Sequence, residues 1–314
     1  MKGKMVSQLL KKTIQNALDT SYFYFDEIHG GFSKQVYKIT TQDNSFILYI
    51  WRRPFDNQLT ENQTRGIEYL FPDGFSYYIH NTKMLTDMGI RVPYILTAGH
   101  HDDGDFDYAI VECFKGISIN DYIKNDGNIG AVADKITAVM DKLAVKKRTF
   151  YGPPLENKPN NISTVQLVFD FTLEELNIAS KLDDEVSAIY SDILNLMRKK
   201  KNIIKTNKQE FSLIHGELTP DHIFILENGE IGLIDIDGVK YFDIEYDWGL
   251  INLIYEDRIP LPNYVNVEKL DFYKLCWIII YVSGAIDYLV HVDSKNEWFI
   301  NFRKRNLREL NKMI

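Results

Sequence analysis

The sequence predicts an α+β protein of two lobes, the first rich in strands and the second mainly helical. Three observations carry this expectation. Residues 22–28, 35–40 and 46–51 are short segments of strand-forming residues parted by the turns at 30–34 and 42–44, the pattern of a three-strand meander. Past Cys113 the spacing of apolar residues changes from mostly strand-like to mostly helical. Inside the helical part, residues 211–250 carry a short apolar hairpin, 223–226 and 231–234, held between two acidic groups of residues.

In chain order, the first 21 residues read as an amphipathic helix with scattered lysines and no continuous apolar run of the signal-peptide kind, so a cytoplasmic location is expected. After the meander, residues 54–74 are polar and irregular, with Pro54, Pro72 and Gly74 as breakers, and read as an insertion or loop. A helix is expected over 77–88, closed by Gly89, then strands over 92–98 and 108–113 around the polar turn 100–105. That turn reads as solvated rather than metal-binding. The change of period places a boundary at 112–116, dividing the chain into a first lobe of 1–111 and a helical lobe of 117–314. Helices are expected over 131–145, 173–199, 246–255 and 267–290, and a basic segment with Arg303, Lys304, Arg305 and Arg308 closes the chain.

Composition narrows the function. The 314 residues are 45% hydrophobic and 25% charged, ordinary for a globular protein with a sizeable core. A net charge of −8 argues against a nucleic-acid partner and would attract a cationic small substrate. Two cysteines, Cys113 and Cys276, exclude a disulfide framework and a cysteine-rich zinc site, and both read as buried thiols of a reducing compartment. The apolar run 275–286 falls short of the roughly 20 residues a bilayer span requires, so it reads as a buried helix and no membrane partner is expected.

The chemistry gathers in 211–250. His215, Gly216, Glu217, Asp221 and His222 precede the hairpin, and Asp235 and Asp237 follow it, so the hairpin would bring Glu217, His222 and Asp235 together for general-base and metal chemistry. Alone, each acid could equally cap a turn. Gly30 and Gly31 followed by Ser33 could admit a phosphate to backbone amides, or form an ordinary hairpin turn. Neither a Walker loop nor a G-x-G-x-x-G fingerprint is present.

Taken together, a glycine turn in a strand-rich lobe, a hinge, and HGELTPDH, IDID and DIEYDWG in a helical lobe resemble the aminoglycoside phosphotransferases, small-molecule kinases of the protein-kinase-like fold. The family pattern is H-G-D-x-x-x-x-N, a hairpin, I-D-[FW], then G-D-P-x-x-D-[LW]-[AG]; His215, Gly216, Asp235, Asp243 and Asp247 match it. The resemblance implies ATP or GTP as phosphoryl donor, bound by Gly30, Gly31 and Ser33 and by the main chain of Glu112 and Phe114. It also implies Mg²⁺ held by Asp235 with His222 or Asp237, and Glu217 as the base that deprotonates a substrate hydroxyl. His215, Asp243 and Asp247 are implied as structural support. The substrate would be a small, cationic aminoglycoside-, macrolide- or amino-alcohol-like molecule, handled by a monomer or homodimer.

Three positions depart from the pattern. Glu217 replaces the catalytic Asp; His222 replaces Asn, as in the macrolide kinases; and Tyr49 stands where a strand lysine or arginine contacts the phosphates, with Tyr78 in place of its glutamate partner. Arg52, Arg53 or Lys38 could supply the missing charge, or metal and backbone could hold the phosphates instead. These departures motivate an alternative, a kinase-fold protein that binds nucleotide or a small molecule without turnover.

Overall fold

In the computed structural model, residues 2–20, 22–28, 34–52, 68–101, 105–157, 159, 161–205 and 210–314 are described. The chain is a mixed α/β protein, and its contacts divide it into two compact units. The first comprises residues 1–58, 72–127 and 220–239, and the second residues 59–71, 128–219 and 240–314. The segment 112–116 lies inside the first unit.

The first unit opens with helix α1 (Lys2–Leu18), followed by strands β1 (Tyr24–Ile28), β2 (Gln35–Thr40) and β3 (Ser45–Arg52). Helix α2 (Phe75–Asp87) and strands β4 (Ile95–His101) and β5 (Phe106–Glu112) complete a five-stranded antiparallel sheet of order β1-β2-β3-β5-β4. Strand alternation explains its two faces. Leu48 and Ile50 of β3 join Ile39, Phe106 and Ile110 in packing on Leu10 and Ile14 of α1, so the amphipathic helix is a lid on the sheet. The alternate residues Tyr49 and Trp51 point the other way, onto Tyr78 and Phe75 of α2. Strand β6 (Gly116–Ser118) and helix α3 (Ile119–Lys124) follow.

The hairpin predicted from the sequence is β9 (Ile223–Leu226) with β10 (Ile231–Leu233), paired antiparallel, and β6 joins it on the β9 side. Its neighbour must approach closely: a Cβ on Gly232 would lie 2.6 Å from the ring of Phe114. The Phe114 side chain is therefore a packing element, set edge-on to Phe224 and beneath the Arg91 guanidinium.

The second unit contains α4 (Gly130–Val145), β7 (Lys147–Arg148), α5 (Thr164–Leu182), α6 (Asp184–Ile203), β8 (Phe211–Ile214), β11 (Lys240–Phe242), α7 (Glu245–Tyr255), α8 (Val267–His291) and α9 (Glu297–Met313). Strands β7, β8 and β11 form a small sheet of order β11-β8-β7. Helix α8 is the spine of this unit: Leu270, Phe272, Tyr273, Leu275, Trp277 and Ile278 are all buried. Gly249 of α7 allows the close approach, since a Cβ there would meet the backbone nitrogen of Lys274 at 3.0 Å.

Several expectations are corrected. The single helix expected over 173–199 is two helices, α5 and α6, because Asp183 leaves the helical conformation at φ −145° and caps the second. As expected, the run 275–286 lies within a largely buried helix, α8, and the basic C-terminal segment is helix α9. By length and composition alone α8 could cross a membrane, but 56% of its most apolar stretch is buried within the protein. Cys276 is buried as expected, whereas Cys113 is half-buried. His100 and His101 lie on β4 rather than in a turn, bonded to Asp107 and Thr13 respectively. Most of the irregular stretch 54–74 lies outside the described residues.

Candidate active site

In the first unit, hairpin register brings two of the predicted residues together. The Ile234 amide donates to the carbonyl of His222 at 3.0 Å, so the chain entering β9 lies beside the chain leaving β10. His222 Nε2 is consequently 3.6 Å from Asp235 Oδ2. Asp235 adopts left-handed backbone angles, φ 58° and ψ 48°, a region that Asp and Asn tolerate better than other side chains. It leads a 3₁₀ turn, Ile236–Gly238, whose carbonyls at Ile236 and Asp237 accept from Asn81 Nδ2 of α2 at 2.8 and 3.2 Å. The turn thus presents two carboxylates, one half-buried and one buried.

A cation already lies between them. Lys34 Nζ donates to Asp235 Oδ1 at 2.6 Å and to Asp237 Oδ1 and Oδ2 at 2.6 and 2.8 Å, and the residue is only 6% exposed. Trp51 Nε1 donates to Asp237 Oδ2 at 3.4 Å. Burial alone would lower the Lys34 ammonium, but Asp237 and Asp235 outweigh it and hold it above the ordinary lysine range. Burial pushes the Asp237 carboxyl up to about 6, against the opposing pull of Lys34. Its ammonium also sits 5.3 Å from the centroid of the Tyr49 ring. Burial holds Tyr49 and Tyr78 well above the ordinary tyrosine value, so neither carries charge.

These residues fit a magnesium ion. The ammonium marks a place where the fold accommodates positive charge, and the donors are hard oxygens; magnesium commonly takes one or two carboxylates and completes its shell with water and phosphate oxygens. Among the described residues no group of three or more His, Cys, Asp and Glu side chains is placed to hold a metal ion by itself.

Gly30, Gly31 and Ser33 lie outside the described residues. The Glu112 amide donates to Tyr94 O at 3.0 Å, and its carboxylate pairs with Arg91.

In the second unit the loop after β8 carries His215, Gly216 and Glu217. Buried Asp247, in the first turns of α7, accepts from the His215 amide at 2.8 Å and the Gly216 amide at 3.0 Å. Gly216 has φ 96°, which disfavours any side chain there. His215 is fully buried and Glu217 half-buried, and the Thr219 amide donates to the Glu217 carbonyl at 3.0 Å. Asp243 is a hub: its carboxylate accepts from Thr164 Oγ1 at 2.6 Å, Lys269 Nζ at 2.8 Å and the Tyr273 hydroxyl at 2.6 Å. Its carbonyl accepts the Tyr246 amide at 3.0 Å as α7 begins.

Residues 25–260 match the phosphotransferase enzyme family, APH. The chain belongs to that family. No match was found among curated protein sequences. Among solved structures, a thermostable mutant of the aminoglycoside phosphotransferase APH(4)-Ia is similar at 15% identity and TM-score 0.63, over 95% of this chain and 98% of that one. Choline kinase LicA from Streptococcus pneumoniae follows at 14% identity and TM-score 0.59, over 98% and 99% of the two chains. A putative fructosamine-3-kinase from Haemophilus somnus 129PT reaches TM-score 0.50 at 12% identity, over 97% of this chain and 96% of that one. At these identities the likeness establishes the fold. The APH(4)-Ia structures include a ternary complex with ADP and hygromycin B, and LicA has been determined with AMP.

Lys34, which holds both carboxylates, was not among the residues expected at the site. Of the cations expected to supply charge, Lys38 is exposed, and the Arg52 side chain and Arg53 lie outside the described residues. The available signal was a lysine closing the glycine turn, with two tyrosines where the family has an ion pair. Asn81 and Trp51, which hold the 3₁₀ turn and Asp237, gave no signal in the sequence.

Proposed function

We propose that this phosphotransferase moves the terminal phosphoryl group of a magnesium-bound nucleoside triphosphate to a hydroxyl of a small cationic acceptor. The observation that carries the reading is the pair of carboxylates, Asp235 and Asp237, converging on one cation at the end of a hairpin in the family's I-D position. When bound, magnesium would supply charge neutralisation at the transferring phosphates. Asp235 and Asp237 would hold it, with His222 orienting Asp235 or a phosphate, while the 112–116 main chain receives the purine. Glu217 positions and deprotonates the acceptor hydroxyl, and Asp247 fixes the loop through the two amides that precede Glu217. ATP is the favoured donor because related structures carry ADP and AMP. A cationic acceptor is favoured by the charge of −8 and by the amine-bearing molecules named for the choline and aminoglycoside enzymes. We place the protein in the cytoplasm.

Glu217 in place of Asp motivates the alternative of binding without turnover, and one experiment separates the two. Calorimetry with ATP and GTP, with and without Mg²⁺, should show metal-dependent binding that Asp235→Asn removes; Asn is chosen because it tolerates the left-handed backbone that Ala would strain. A screen of aminoglycosides, macrolides and amino-alcohols should then show nucleotide consumption that falls at least about 100-fold in Glu217→Gln, the scale of a lost general base. Binding with no turnover on any acceptor would favour the inert reading, and no nucleotide binding at all would sink both.

A further inference from the structure

Phosphoryl transfer is assisted by a positive side chain near the nucleotide phosphates, and among the described side chains of β3 on the α2 face there is none. Its inward positions are Tyr49 and Trp51, packed on Tyr78 at centroid distances of 5.3 and 5.4 Å. A buried cation is nonetheless delivered to this place from another segment. Lys34 precedes β2, its ammonium lies over the Tyr49 ring, and its three hydrogen bonds all end on Asp235 and Asp237. The same ammonium thus forms ion pairs with both carboxylates of the turn. The ammonium and a divalent metal would compete for the same oxygens. A lysine head on a flexible four-carbon stem can shift without moving its backbone.

We propose that Lys34 is the phosphate-anchoring residue of this enzyme and acts by exchange: it holds Asp235 and Asp237 in the absence of ligand, and yields them to the metal as the nucleotide phosphates take up its ammonium. The tyrosine pair is then the packing surface that lets a lysine reach this place from outside β3. The proposal rests on the phosphotransferase reading above but fails separately from it.

Titrations of nucleotide and of metal alone test it. In Lys34→Met, Mg²⁺–ATP should bind roughly tenfold or more weakly, the effect of losing one charge-assisted contact. Mn²⁺ without nucleotide, followed by its electron paramagnetic resonance signal, should bind more tightly because its competitor is gone. A merely structural lysine would weaken both together, and that result, or unchanged affinities, overturns the proposal while leaving Mg²⁺–ATP binding by the wild type intact. Absence of Mg²⁺–ATP binding by the wild type overturns the proposal together with the phosphotransferase reading. Should Lys34→Met fail to fold, the wild-type protein gives the same answer through lysine-directed labelling read by mass spectrometry. Lys34 should be unreactive alone, labelled several-fold more with Mn²⁺, and protected again by Mg²⁺–ATP; labelling indifferent to metal overturns the exchange.

Discussion

Glu217 sits on a loop that is braced at the two residues before it. Asp247 braces the two preceding amides and is fully buried, and burial pushes its carboxyl up to about 6 against the pull of Lys240 and the two N–H donors. Lys240 is equally buried, and its Nζ donates to the carbonyl of Leu70 at 2.7 Å. Burial pulls its ammonium down to about 8, with Asp247 and Glu217 opposing the shift. Between about pH 8 and the ordinary lysine value the folded protein binds fewer protons at Lys240 than the unfolded chain, so this residue's contribution to stability rises with pH across that window. The stability of the wild type minus that of Lys240→Met, from urea denaturation, should therefore increase by roughly 1–3 kcal/mol between pH 8 and pH 10.5. A flat or falling difference would show that the ammonium is not desolvated. Asp247 was legible in the sequence from its spacing to Asp243. Lys240 was not, because its partner carbonyl is 170 positions away and no local pattern marks a lysine that will be buried.

Elements are legible in the sequence wherever one period runs between clear breakers. The strand at 35–40 and the hairpin strand 223–226 have the bounds expected of them, because turn residues flank short apolar runs on both sides. The segment 173–199 is divided by a cap that overrides its apolar period. Its apolar period continues through Asp183, yet Asp183 followed by Asp184 and Glu185 is an N-terminal signature, a capping acid with acids in the first turn. The cap is also tied across the unit: its carboxylate accepts from the Glu185 and Val186 amides at 3.0 and 3.2 Å and from Arg303 of α9 at 2.7 and 2.8 Å. One side chain therefore ends α5, starts α6 and anchors α9. Asp183→Ala should cost roughly 2–3 kcal/mol, the sum of a helix cap and a charged pair left half-made. Asp183→Asn, which keeps the cap and loses the ion pair, should cost about half as much, since the cap alone is typically worth about 1 kcal/mol. Equal losses in the two variants, measured by chemical denaturation, would assign the whole effect to Arg303.

Across the whole molecule, the sequence conveyed the residues of the site but not their company. The carboxylates at 235 and 237 were found from a motif, whereas the cation that holds them comes from 201 residues earlier. Read linearly, residues 220–239 belong to the helical lobe; by contacts they belong with the N-terminal sheet. Pairing at that separation depends on which buried charge can be neutralised by which other, and a one-dimensional pattern does not record it. Net charge, in contrast, is readable from composition and acts over the whole surface. At −8 the protein should draw in a cationic acceptor through its long-range field. With nucleotide and Mg²⁺ saturating, so that their own screening drops out, kcat/KM for a cationic acceptor should fall roughly threefold or more as NaCl rises from about 20 to about 300 mM. A neutral analogue bearing the same hydroxyl should change little over that range. Equal salt responses for the two acceptors would remove the electrostatic argument for a cationic substrate, leaving acceptor choice to the side chains that touch it.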